Sequence, residues 1–217
     1  MTFEEGSGDV GEAGALGRLR IEAEACTACR LADTRTKVVF GVGNPAAELL
    51  FVGEAPGRNE DLQGVPFVGA AGQLLDRLMA DVGIDRDRSY IANVLKCRPP
   101  NNRDPLTDEI EACKGYLRMQ LELIDPKVVV TLGNFATKLL LRTESGITKV
   151  RGRSYPWWRG KVLIPTFHPA AALRSGDQVT NLMRADFELI RQALAANDDA
   201  YTAEEPNTVE QLGLFQT

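Results

Sequence analysis

The chain has 217 residues, 44% hydrophobic and 25% charged, enough for one packed α/β domain rather than two. Twenty Gly and eleven Pro are ordinary usage, which excludes a collagen-like or wholly disordered chain. No window approaches the ~18 apolar residues of a membrane span, and no basic, apolar, cleavable leader opens the chain, so a soluble cytoplasmic protein is expected.

The formal charge of −5 is unevenly placed. Residues 1–17 carry four acids and no base, and residues 197–217 carry five acids and no base. Between them, residues 18–196 hold 25 basic against 21 acidic side chains, so a polyanionic partner stays open.

In chain order, residues 1–17 are Gly- and Glu-rich without apolar periodicity and are expected to form a flexible acidic leader. A short helical pattern over 16–25 leads into Cys26. Four short apolar runs, 49–53, 90–95, 128–133 and 162–167, are rich in β-branched residues and do not alternate, as suits strands buried on both faces of a parallel sheet. Amphipathic segments at 70–82, 107–124, 134–141 and 180–196 lie between and after them. The alternation predicts βαβ crossovers and a three-layer α/β/α domain over 18–196, with a central, mostly parallel four-stranded sheet. Ligands of such sheets bind beyond the carboxyl ends of the strands, which marks segments 53–61, 93–103, 133–134 and 168–174.

Cys26 and Cys29 form a Cys-x2-Cys pair, and Cys97 and Cys113 follow. The contexts, "ACTACR" and "KCRPP", are polar and turn-like, which favours ligation over inert buried thiols. Nothing signals export, so disulfides are disfavoured. Four thiolates suit either tetrahedral zinc or a [4Fe–4S] cluster, and the missing second short knuckle leans toward iron–sulfur.

Past the first strand the chain reads "GEAPGRNEDLQGVPFVGAAGQLL", with Glu54 just beyond a strand end. Asn93 ends another strand in "IANVLKCRPP", where an amide can read a donor–acceptor edge. The single histidine, His168, follows the fourth strand in "TFHPAAALR". Placed on neighbouring strand ends, these three become an active-site candidate.

Together with "NVLKCRPPNNR", "ITKVRG" and the four cysteines in order, these segments resemble the uracil-DNA glycosylase superfamily, most closely its family 4, the iron–sulfur enzymes. The resemblance covers about residues 26–194. It implies a [4Fe–4S] cluster on Cys26, Cys29, Cys97 and Cys113. It also implies a repair enzyme, nucleoid-associated, that flips uracil from single- or double-stranded DNA and hydrolyses its N-glycosidic bond. Around the base it places Gly53, Glu54, Phe67, Asn93 and His168. Phe67 would stack, Asn93 would pair with N3–H and O4, and His168 would donate to O2. Glu54 is the first choice for activating water and Glu60 the runner-up, because Ala55 occupies the position of the family 1 acid. The family 5 relatives lack the acid at Glu54. The covalently linking variant has Gln at Ala55 and a basic, His-containing insert, so ordinary turnover is expected here.

DNA grip is expected from the stretch "KVRGRSYPWWRGK", with Lys149, Arg151 and Arg153 on phosphates and Trp157 and Trp158 either stacking or capping the core. Arg98, Arg103 and Arg174 flank the strand-end loops, and Leu173 is a candidate wedge into the gap left by the flipped base. The rival reading is a non-catalytic four-cysteine metal or iron–sulfur module that recognises DNA without cutting glycosidic bonds. A second rival, a nucleotide-binding α/β protein, fails because no G-x-G-x-x-G opens a helix after a strand.

Residues 197–217 are expected to be a disordered acidic tether ending in Gln211, Leu212, Gly213, Leu214 and Phe215. That ending resembles the Gln-Leu-x-Leu-Phe motif with which bacterial repair proteins dock into the sliding clamp; folding back onto the domain is the alternative. A monomer is expected.

Overall fold

A computed structural model describes residues 14–196. Its elements in chain order are α1 (Ala15–Glu24), β1 (Val42–Gly43), β2 (Leu49–Gly53), α2 (Arg58–Gln63), α3 (Ala70–Asp81), β3 (Tyr90–Asn93), α4 (Thr107–Ile124), β4 (Val128–Leu132), α5 (Asn134–Leu141), α6 (Ile147–Val150), β5 (Tyr155–Trp157), β6 (Lys161–Thr166), α7 (Pro169–Ser175) and α8 (Asp177–Ala195). Helix α1 begins at Ala15, so its first three residues fall within the expected leader. The tail motif lies outside the described residues.

The sheet is mixed and six-stranded, in the order β1-β3-β2-β4-β6-β5, so the four-strand expectation is too small. β3, β2, β4 and β6 pair in parallel, and β1 and β5 close the two edges antiparallel. Both additions escaped the periodicity reading for physical reasons. β1 is two residues long, and β5 contains Pro156, which an edge strand tolerates because its missing N–H faces no partner.

The parallel strands are buried on both faces, and their residues alternate between two cores. Leu50 and Val52 face Leu117 and Leu121 of α4 and Ala136 and Leu140 of α5. Leu49 and Phe51 face Leu75 and Leu78 of α3 and Phe187 and Ile190 of α8. Phe51 and Phe187 stack at 5.9 Å between centroids. The parallel register places the carboxyl ends of β2, β3, β4 and β6 on one rim of the sheet. No described helix is long and apolar enough to cross a membrane.

Candidate active site

Parallel register sets the site. Gly53 of β2 lies opposite Asn93 of β3, and Leu132 of β4 opposite Thr166 of β6, so four strands end together. Their loops line one cleft of about 800 Å³, which brings Glu54, Glu60, Phe67, Asn93, His168 and Arg174 together.

Asn93 is buried, and its side-chain amide has no hydrogen-bond partner among the described residues. A buried amide left unpaired by its own protein is costly, so such a group marks a place built for a ligand's edge. Two glycines make room for these side chains. A Cβ on Gly53 would stand 2.3 Å from Asn93 Oδ1 and 2.8 Å from the Phe67 ring. Gly133, at φ +93°, lies where a Cβ would meet His168 Cβ at 2.9 Å.

His168 caps α7, which begins with Pro169. Its Nδ1 accepts a hydrogen bond from the Ala170 amide at 3.1 Å. Nδ1 is therefore unprotonated, and the ring proton sits on Nε2, free to donate. Burial, with Arg174 adding repulsion against Glu60's attraction, pulls the imidazolium down to about 4. The ring is neutral across the working pH range. Phe67 lies against it, centroids 5.7 Å apart and planes inclined by 30°.

The loop carrying Phe67 is braced from two sides. Glu60 Oε1 accepts from the Val68 and Gly69 amides, both at 3.0 Å. Arg86 donates to the Pro66 carbonyl at 2.9 Å and also pairs with Asp76. Phe67 itself sits at φ +54°, and Gly72 is so close to its carbonyl that no Cβ would fit. The rotation of the aromatic is thus fixed by backbone anchors. Glu60 is occupied with this bracing. The carboxylate of Glu54, half-buried in the cleft wall, carries no hydrogen bond or ion pair among the described residues. Burial and then the Asp104 carboxylate push its pKa up.

The basic residues divide. Arg174 is exposed at the cleft and makes no hydrogen bond or ion pair among the described residues. Lys149 and Arg153 are exposed but do not line the cleft. Arg98 donates to Asn102 Oδ1 at 2.7 Å, and Arg103 makes a forked pair with Glu109 at 2.9 and 2.5 Å. Arg151 turns inward to Asp186, donates to the Leu182 carbonyl at 2.7 Å, and lies 5.6 Å from the Phe167 ring centre. Its fork is committed to the fold, which leaves little of it for phosphate. Trp157 and Trp158 are buried and cap the core, Trp157 donating to the Leu140 carbonyl at 3.0 Å. Leu173 projects from α7, 48% exposed. Arg86, Gly72, Asp104 and Lys138, which also lines the cleft, escaped the sequence reading. Arg86, Asp104 and Lys138 lie outside the quoted motifs, whereas Gly72 sits inside one, five residues from the Phe67 it accommodates.

The four cysteines line a second, small pocket together with Ala28, Ala32 and Arg35. Two donors aim at sulfur: Arg35 Nη1 at Cys97 Sγ, 3.4 Å, and the Lys96 amide at Cys113 Sγ, 3.3 Å. Burial pushes the Cys113 thiol up to about 11 and raises that of Cys97. Among the described residues, no group of three Cys, His, Asp or Glu side chains converges on a single-ion site.

Residues 40–195 match the family model of the uracil DNA glycosylase superfamily. The chain is 48% identical to a type-4 uracil-DNA glycosylase of Sulfurisphaera tokodaii, covering 86% of this chain and 88% of that protein. It is 46% identical to the type-4 enzyme of Saccharolobus solfataricus, covering 81% and 84% of the two chains. With the Thermotoga maritima type-4 enzyme the identity is 47%, over 75% and 86%. The strand-end cleft, its matching motifs and these relatives agree: the chain belongs to the uracil-DNA glycosylase superfamily, among its type-4 members.

Proposed function

We propose that this protein excises uracil from DNA, hydrolysing the N-glycosidic bond to leave an abasic site. The observation that carries this reading is the buried, unpaired Asn93 amide facing one cleft with Phe67 and the Nε2 proton of His168. The flipped base stacks on Phe67. Asn93 accepts from uracil N3–H and donates to O4. Cytosine reverses that pattern, and the resulting unpaired buried groups reject it strongly. As the glycosidic bond breaks, the electron pair goes to uracil N1, and His168 Nε2 donates to O2 where the negative charge gathers. Such an oriented donor contributes about 3 kcal/mol. Glu54 takes a proton from the water whose oxygen bonds to C1′, and its carboxylate supports the cationic sugar. A pKa raised toward neutrality improves a general base. Glu60 supports the Phe67 loop. Arg174, with Lys149 and Arg153 farther out, meets phosphates.

The four cysteines would hold a [4Fe–4S] cluster. Gathered sulfurs and two N–H···S donors support a centre held by these four cysteines. There it would act as a structural staple joining the segment after α1 to the Cys97–Cys113 stretch. The reading extends to a monomer acting in the cytoplasm on nucleoid DNA, and to a clamp partner engaged by Gln211, Leu212, Leu214 and Phe215.

The test is direct. Protein purified in air should be yellow-brown, contain iron and sulfide, and convert a uracil oligonucleotide to alkali-labile sites. A colourless, zinc-bearing, inactive protein would overturn the reading.

A further inference from the structure

Lys96 is a buried lysine, 1% exposed, and among the described residues no carboxylate pairs with it. An ammonium taken out of water needs both hydrogen-bond acceptors and a counter-charge. The acceptors are present. Nζ donates to the Asn93 backbone carbonyl at 2.7 Å and to Gln120 Oε1 at 2.6 Å. Gln120 is itself locked, because its amide nitrogen donates to the Phe40 carbonyl at 2.9 Å and reaches Tyr90 Oη at 3.3 Å, leaving Oε1 turned to the lysine. The Phe40 ring lies 6.0 Å from Nζ. None of these groups carries a negative charge.

The counter-charge lies on the other side. Lys96 lines the four-cysteine pocket, adjoins Cys97 in the chain, and donates its own amide to Cys113 Sγ. Four thiolates leave either a [4Fe–4S] cluster in its 2+ core state or a zinc ion with a net charge of −2.

The segment between these anchors is short and laced to β2. Val94 N donates to the Gly53 carbonyl and Leu95 N to the Glu54 carbonyl, both at 3.0 Å, and the Lys96 carbonyl accepts from Val39 N at 2.7 Å. Within it, the Asn93 carbonyl goes to the lysine. That bond sets the peptide plane behind the base-reading side chain.

We propose that Lys96 is a positioning residue that couples the four-cysteine centre to Asn93, neutralising the thiolates on one side and holding the Asn93 main chain on the other. The inference rests on the proposed roles of Asn93 and the cysteines.

The experiment uses the full chain with its centre loaded, as wild type, Lys96→Met, Lys96→Arg and Asn93→Asp. Removing the cation beside an anionic cluster should shift its midpoint potential to a more negative value and speed iron loss to a chelator about tenfold. Lys96→Met should also lose about tenfold in kcat, with KM changed less than threefold. Lys96→Arg keeps the charge but not the single-point bond, so its potential should stay near wild type while kcat falls. An unchanged potential together with unchanged iron retention in Lys96→Met overturns the link to the thiolates. An unchanged kcat in either lysine variant overturns the link to Asn93. Should Lys96→Met fail to fold, Lys96→Arg decides alone: wild-type kcat, or a potential displaced as far as its rate, overturns the proposal. Failure of the underlying reading shows elsewhere. It would appear as wild type without iron, or as Asn93→Asp with no gain of cytosine excision relative to uracil.

Discussion

Gly53 and Asn93 are register partners at the ends of β2 and β3, and the Asn93 Oδ1 atom stands 2.3 Å from where a Cβ on residue 53 would be. The same Cβ would meet the Phe67 ring, so this glycine leaves room for the two side chains proposed to recognise the base. Gly53→Ala should therefore fold, with Tm within a few degrees of wild type, and lose at least about 100-fold in uracil excision, on the scale of misplacing reacting groups by about 1 Å. A rate within tenfold of wild type on a uracil oligonucleotide would show that the amide has room to move.

Glu54 and Glu60 share the cleft but not the chemistry. Glu54→Gln should lose far more single-turnover rate than Glu60→Gln, about 10²–10⁴-fold if it removes general-base help. Glu60→Gln should act chiefly through the Phe67 loop, raising KM more than it lowers kcat. Equal losses in the two variants would move the base assignment away from Glu54.

The pH dependence follows from the two buried groups. With Glu54 as the proposed base, its carboxylate must be ionised, and burial with Asp104 raises its pKa, so the acidic limb of kcat should lie above the ~4.3 of a free glutamate. Asp104→Asn should move that limb down. For stability the His168 sign is opposite to that of an ion-paired histidine. The unfolded chain binds its proton near 6.5 while the folded ring resists until about 4. The unfolded state therefore holds more protons between these values, and stability falls as pH drops from 6.5 to 4, by up to about 3 kcal/mol. Tm measured from pH 7 to 4.5 should show this slope, flattened in His168→Gln.

Arg151 and Arg174 separate fold from grip. Arg151→Ala strands Asp186, which is buried beside Thr166 Oγ1 at 2.6 Å. It should cost about 3 kcal/mol and several degrees of Tm, and leave the salt dependence of DNA binding unchanged. Arg174→Ala should spare Tm and reduce the slope of log K against log salt by about 0.9, one phosphate contact. The reverse pattern would exchange the two roles.

A peptide of residues 205–217 should bind purified bacterial sliding clamp, and changing Leu214 and Phe215 to Ala should abolish binding. Binding that survives the double change, or none at all, discards the motif. Deleting residues 197–217 should leave excision on a short oligonucleotide unaffected.

The sequence by itself determined the parallel core. Continuous β-branched runs such as 128–133, short and bounded by turn residues, suit strands buried on both faces, and the strand-end rule then pointed to Glu54, Asn93 and His168, because burial pattern and turn chemistry are local properties. It also ordered the four cysteines, although two of them, Cys97 and Cys113, share one pocket with the first pair only through α4 and the loop after β3. Tertiary structure alone decided what each polar group does. Arg151 and Arg174 are equally basic in sequence, yet one meets Asp186, 35 residues away, and the other has no hydrogen-bond or ion-pair partner for its side chain among the described residues. Glu54 and Glu60 are six residues apart, yet only Glu60 finds backbone amides to brace. Lys96 looks like one more surface lysine until folding surrounds it with Gln120, Phe40 and the thiols. Charge partners and burial depend on contacts distant along the chain, and those contacts exist only once the strands have paired.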